Sequence, residues 1–216
     1  MLMIFCKSWK GKLTMFYHDI VTQKSWEELK KLKKSINFVL IGGWAVYLHS
    51  KTLKSKDIDI LVEYSEIIKL KDQYDFNKNE RLKKYEARYG EIQIDIYLPH
   101  YSELGISVED LISQSISIEG FNVLKKEWLV ALKLFTLNQR GRSVKGQKDF
   151  LDLLSLFASG EIDKKSLKNI IHKYKLDNCL IFFEEMMNER VEVSELSLNK
   201  HQYKKLKNKI NENLGC

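Results

Sequence analysis

Two short segments alternate acids with aliphatic residues, and they constrain the fold more than any other feature of the chain. Residues 57–62 read DIDILV and residues 91–98 read EIQIDIYL. Successive side chains of a strand point to opposite faces. Asp57 and Asp59 therefore share one face, and Ile58, Ile60 and Val62 the other. In the second segment Glu91, Gln93, Asp95 and Tyr97 share a face, opposite Ile92, Ile94, Ile96 and Leu98. Each strand offers one row to a core and one row of acids to something polar.

If the two strands are neighbours, Asp57, Asp59 and Asp95 converge. Such carboxylates repel and raise each other's pKa unless a cation sits among them. Oxygen ligands with open positions suit Mg²⁺, which keeps waters and binds substrate phosphates. Two such ions about 4 Å apart can clamp the attacking and leaving oxygens of a phosphoryl transfer; Mn²⁺ is the alternative ion. The plainer reading is the solvent face of an antiparallel sheet, which is what most isolated Asp-x-Asp strands are.

The glycines upstream shift that balance. Residues 36–41 (INFVLI) read as a buried strand that ends at Gly42-Gly43, and residues 44–50 read as a short helix. Glycine lets backbone approach a ligand closely, and a helix start offers free N–H groups to phosphate. By itself, Gly-Gly after a strand is a plain turn.

Taken together, an apolar strand, Gly42-Gly43, thirteen intervening residues, Asp57-Ile58-Asp59-Ile60 and a later Asp95 resemble the polymerase β-type nucleotidyltransferase superfamily. The resemblance implies that Asp57 and Asp59 bind metal and that Asp95 completes the metal site and helps activate an acceptor hydroxyl. It makes Gly42 and Gly43 phosphate-binding. Lys54, Ser55 and Lys56 fill the stretch where the family carries a basic residue and Ser/Thr, with Lys where Arg is common; Ser55 and Lys56 become nucleotide contacts.

The implied fold is α+β, a polymerase β-like mixed sheet with flanking helices over residues 1–124, followed by a helical bundle over 125–216. The pattern supports that division. Thr22 or Ser25, with Glu28 completing a capping box, opens a helix through Lys34. Residues 65–74 read as helix, 81–88 and 91–98 as a hairpin about Tyr89-Gly90, 108–117 as a helix capped by Ser107, and 121–124 as a strand. Helices are expected at 126–140, 146–158, 164–174, 177–190 and 199–213.

The segment WLVALKLFTL (128–137) is apolar around the helix except at Lys133 and Thr136. A buried ammonium needs an anion, either a nucleotide phosphate or a neighbouring carboxylate. In KDFLDLLSLF, Lys148, Asp149, Asp152 and Ser155 fall on one stripe. In isolation, Lys148 and Asp152 read as a surface pair. The order EWLVALKL, a loop with Arg140 and Arg142, then QKDFLDLL resembles the AbiEii/AbiGii-type toxin nucleotidyltransferases. That resemblance implies that Lys133 touches nucleotide phosphates and that Asp152 shapes the site opposite the sheet. Trp44 and Tyr47 read either as base-stacking rings or as packing of the short helix. His49 and His100 receive no role.

The net charge of +7 is unevenly spread: residues 1–120 carry 18 basic against 17 acidic groups, and residues 121–216 carry 18 against 12. That sign fits an NTP or RNA partner, or a Lys-rich solvated surface. Three scattered cysteines argue against a disulfide framework or a zinc knuckle. No apolar run is long enough to span a membrane, and a cytoplasmic protein is expected. The expected reaction moves an NMP from an NTP to an acceptor hydroxyl on RNA or tRNA, as the toxin of a pair with an antitoxin protein. The alternatives are a small-molecule, antibiotic-type transferase and a non-catalytic NTP- or RNA-binding protein of the same fold.

Overall fold

The computed structural model describes residues 5–214, and side chains from residue 19 onward. Its first element, α1 (Phe5–Ser35), runs straight through the position where Thr22 or Ser25 was expected to cap a helix. Those polar residues serve tertiary contacts instead. Thr22, Ser25 and Glu28 are buried. Ser25 Oγ accepts the indole N–H of Trp44 at 2.9 Å, and Glu28 accepts the Tyr74 hydroxyl at 2.7 Å. A capping pattern and a buried polar stripe share the same three-residue spacing, and here the stripe is what forms.

Seven strands follow, interleaved with helices: β1 (Val39–Ile41), α2 (Gly42–Ser50), β2 (Ile58–Leu61), α3 (Ile67–Lys71), β3 (Asp75–Asn79), β4 (Lys84–Tyr89), β5 (Ile92–Tyr97), α4 (Val108–Ile112), β6 (Ser115–Ile118) and β7 (Phe121–Leu124). They form one mixed sheet in the order β3-β4-β5-β2-β1-β7-β6. The pairs β2–β5 and β1–β7 are parallel and the others antiparallel.

Register follows the aliphatic rows. Ile58 lies opposite Ile94 and Ile60 opposite Ile96, with Leu40 beside Ile60. All five are fully buried. A slip of one residue would carry this row to the polar face and the acids into the core, so burial pins the pairing.

Two strands lie outside the expected set. β3 (DFNKN) is a polar edge strand whose alternation carries no apolar signal, and only its pairing with β4 defines it. β6 takes residues that were expected to extend the helix after Ser107. Ser107 does cap α4, accepting from the Asp110 N–H at 3.3 Å. The helix stops at Ile112 because SISI alternates and Glu119-Gly120, both at positive φ, turn the chain back onto β7.

After Leu124 the described chain is helical apart from a short 3-10 turn and one isolated bridge, Val193 to Leu198. The helices are α5 (Lys126–Arg140), α6 (Val144–Ala158), α7 (Lys164–Lys173), α8 (Asp177–Asn188) and α9 (Lys200–Leu214). α5 packs against α6, α7 and α8, and both α5 and α6 pack on α2. Ser143 caps α6 and Asp163 caps α7 through side-chain oxygens. The packing on α2 brings the ends of α5 and α6 over the acidic face of the sheet. Among the described residues no helix is long and apolar enough to cross a membrane.

Candidate active site

A cavity of about 120 Å³ lies between the acidic face of the sheet, the start of α2 and the facing sides of α5 and α6. Gly42, Gly43, Ser55, Asp57, Asp59, Asp95 and Lys133 line it, so seven of the nine residues singled out in the sequence meet there. Lys56 does not: it falls in a bend between Ser55 and Asp57 and is not among the lining residues. Asp152 lies behind Lys133 and does not reach the cavity.

The three acids come from two neighbouring strands. Asp59 lies directly opposite Asp95 across the parallel pair β2–β5 and opposite Ile41 at the end of β1. Asp57 sits one residue before β2, exposed at the mouth. Burial, reinforced by Asp95, pushes the Asp59 carboxyl up to about 6, although Lys133 and Lys148 pull the other way. No described side chain donates to Asp57 or Asp59. Burial, with Asp59 and Asp95 adding to it, also pushes the Tyr97 hydroxyl well above its ordinary range.

Asp95 differs from the other two. Its Oδ1 accepts from Gln93 Nε2 at 2.8 Å, and its Oδ2 pairs with the Lys84 ammonium at 2.6 Å. Among the described residues no three His, Cys, Asp or Glu side chains close into a metal-ligand cluster. The expected convergence of three free carboxylates is therefore met by Asp57 and Asp59, while the third is held by a lysine. The donor set Asp57–Asp59, with uncommitted oxygens facing a cavity, fits a hard divalent cation.

Both glycines are required by contact, and Gly42 by conformation as well. Gly42 has φ +65°, and a Cβ there would sit 2.0 Å from Asp59 Oδ2. A Cβ on Gly43 would lie 2.7 Å from Ser55 Oγ. The backbone at the start of α2 thus runs directly against the acid strand, with no side chain between its N–H groups and the cavity.

The helical wall is cationic. Lys133 is buried on α5 and binds two carboxylates of α6, Asp149 Oδ1 at 2.8 Å and Asp152 Oδ2 at 2.6 Å. Burial pushes its ammonium down, but Asp152 and Asp149 together outweigh this and hold it charged. A phosphate contact by Lys133 would have to compete with both. The surface-pair reading of Lys148 and Asp152 is replaced: Asp152 serves Lys133, and Lys148 Nζ reaches across to Ser55 Oγ at 3.4 Å.

Three cations missing from the sequence-derived site line the cavity: Arg140, Lys145 and Lys148. Arg140 donates to Asp149 Oδ2 at 2.7 Å. The signal for the α6 wall was present in the sequence. Lys145, Lys148, Asp149 and Asp152 recur at helical spacing on a helix whose opposite face is apolar, and both acids are buried.

Trp44 is buried in a cluster with Trp26, whose ring also contacts Tyr47 and Phe121, so packing is its role. His49 Nε2 lies 2.9 Å from the Leu124 carbonyl.

The architecture is that of a nucleotidyltransferase: a mixed sheet carrying Asp-x-Asp, a Gly-Gly turn beside it, and helices closing the cavity. The chain belongs to the family described as "Nucleotidyltransferase of unknown function (DUF6036)", whose model matches residues 19–212. It is accordingly a nucleotidyltransferase. No curated protein matches the chain in sequence.

Among solved structures, ANT(2")-Ia in complex with adenylyl-2"-tobramycin is similar in fold. Its TM-score is 0.50 at 12% identity, covering 76% of this chain and 97% of that one. The polyadenylate synthase of Megavirus matches with TM-score 0.49 at 13% identity, covering 76% of this chain and 39% of that one. JHP933 from Helicobacter pylori matches with TM-score 0.48 at 14% identity, covering 89% and 91%.

Proposed function

We propose that the protein transfers a nucleoside monophosphate from an NTP to an acceptor hydroxyl with release of pyrophosphate, in a Mg²⁺-dependent reaction. The observation that carries this reading is the single cavity shared by Asp57, Asp59, Asp95, the Gly42-Gly43 turn and the cations Arg140, Lys145 and Lys148. Asp57 and Asp59 hold the divalent ion. The ion supplies neutralisation of the charge on the reacting phosphate and a lowered pKa for the attacking hydroxyl.

The chain's own residues do the rest. Backbone N–H groups at the start of α2 face the triphosphate, with Ser55 and Lys148 beside them. Arg140 and Lys145 carry positive charge to the same space, where a pyrophosphate leaves. Asp95, across the strand pair from Asp59, borders the same space and helps position the acceptor hydroxyl, whose proton leaves to solvent. Catalysis of this kind is positioning plus charge stabilisation, which suits a cavity whose walls are preset by packing and ion pairs.

RNA is the acceptor we assign. The excess of basic over acidic residues lies in residues 121–216, 18 against 12, and two of the helices there, α5 and α6, border the cavity. A role as a toxin restrained by an antitoxin protein follows from the resemblance in α5 and α6.

The test is transfer of label from each of the four α-labelled NTPs into total RNA, with small polyhydroxylated compounds as parallel acceptors, with and without Mg²⁺. Label in RNA from the wild type and none from Asp59→Asn supports the reading. Label only in small molecules removes RNA as acceptor, and NTP binding without turnover removes the reaction.

A further inference from the structure

Three carboxylates stand in one row across three strands. Glu86 on β4 lies opposite Asp95 on β5, and Asp95 lies opposite Asp59 on β2. Like charges directly opposite each other on neighbouring strands repel, so such a row needs cations. At one end the cation is already present. Lys84, two residues before Glu86 and on the same face, is only 6% exposed. Its ammonium lies 2.6 Å from Asp95 Oδ2 and 3.2 Å from Glu86 Oε1. The other Asp95 oxygen is taken by Gln93 and Glu86 also accepts from Asn79, so the end of the row next to β4 is satisfied by the chain itself. At the other end, Asp59 and Asp57 have no such partner.

We propose that Lys84 is a resident cation that stands in for a second metal ion at Asp95, so that the carboxylates take up one divalent ion, at Asp57 and Asp59, instead of two. The inference rests on the assignment of Asp57 and Asp59 as metal ligands. Lys84 is a positioning residue: together with Gln93 it fixes the Asp95 carboxylate and leaves it no oxygen free of a partner for a second ion. A flexible surface lysine would be displaced readily by a divalent ion. A buried one, held by two carboxylates, gives up both contacts and must find water elsewhere, which disfavours exchange.

Removing the ammonium while keeping its volume exposes Asp95 and Glu86 to each other. The resulting pair of facing carboxylates is then a ligand set for a second ion. Lys84→Met should therefore gain a metal, where loss of a merely structural ion pair would gain none.

The test is Mn²⁺ titration of the full chain, followed by the electron paramagnetic resonance signal of free Mn²⁺. The comparison set is the wild type, Lys84→Met, Lys84→Arg and the double variant Asp57→Asn/Asp59→Asn, with circular dichroism as the fold control. The expected stoichiometries are one ion for the wild type, two for Lys84→Met, one for Lys84→Arg and none for the double variant. Two ions in the wild type, or one in folded Lys84→Met, overturns the proposal. If Lys84→Met does not fold, the wild-type count and that of Lys84→Gln decide in the same way. Absence of any bound Mn²⁺ in the wild type overturns the metal assignment of Asp57 and Asp59 along with it. That outcome differs from a count of two, which leaves the assignment standing and removes only the role of Lys84.

Discussion

The Cβ that Gly42 lacks would lie 2.0 Å from Oδ2 of Asp59, so the turn after β1 and the second acid of β2 occupy mutually exclusive space for any residue larger than glycine. The contact ties the two halves of the motif. The backbone proposed to face phosphate presses on the carboxylate proposed to hold the metal. Gly42→Ala meets both this clash and the strain of φ +65°, a cost of roughly 1–3 kcal/mol for the backbone alone. It should lower the urea midpoint and abolish transfer, whereas Gly90→Ala, with φ +59° and nothing near its Cβ, should lower stability without abolishing transfer. Equal activities in the two variants would contradict a role for the close approach.

Asp59 makes the metal-free protein less stable as pH rises. Its folded-state carboxyl stands at about 6 against an ordinary 3.8, raised by burial and then by Asp95. The folded chain therefore binds the proton more tightly than the unfolded chain. Stability from this group is complete below about pH 3.8 and is lost as pH climbs through about 6. Asp59→Asn should be more stable than the wild type at pH 8 by roughly 1–3 kcal/mol in chelator, with the difference vanishing near pH 4. Paired urea titrations at the two pH values check this, and saturating Mg²⁺ should shrink the gap at pH 8.

Lys133 has the opposite character. It is 7% exposed and bridges Asp149 and Asp152, both 1% exposed. Lys133→Met leaves two carboxylates buried without their cation, apart from Arg140 on Asp149, and should cost about 3–5 kcal/mol. Adding Asp152→Asn should restore part of that loss. If Lys133 instead serves only phosphate, the single variant keeps wild-type stability and loses activity alone.

Lys148 reaches Ser55 beside the Gly43 position and has no carboxylate partner among the described residues. Its charge is available to a triphosphate. Lys148→Ala should raise the KM for NTP about 10-fold or more, since a hydrogen bond to a charged group contributes about 1.5–3 kcal/mol. The melting temperature should change little. Steady-state kinetics with a thermal melt separates this from a packing defect.

Much of this site was legible before any coordinates. A period of two with acids on one face defines β2 and β5, because a half-buried strand has no other way to divide apolar from charged residues. The Gly-Gly turn and its distance from Asp57 were legible only through the resemblance to the polymerase β-type nucleotidyltransferases. The helices from Lys126 onward are equally local, and α5 was expected at the residues it occupies. What escaped was whatever depended on partners distant in sequence. Thr22, Ser25 and Glu28 have the spacing of a cap, yet their hydrogen bonds go to Trp44 and Tyr74. β3 has no pattern of its own and exists through β4.

The sequence alone determined which residues carry the acids, on which strands, and that they face away from an aliphatic core, since alternation and burial are properties of neighbouring residues. Tertiary structure alone decided which charges those acids meet. Lys84 reaches Asp95 because β4 lies beside β5, and Lys133 reaches Asp149 and Asp152 because α5 crosses α6. Electrostatic partners are set by distance in space, and a charge whose partner lies far along the chain shows its pairing only once the chain has folded.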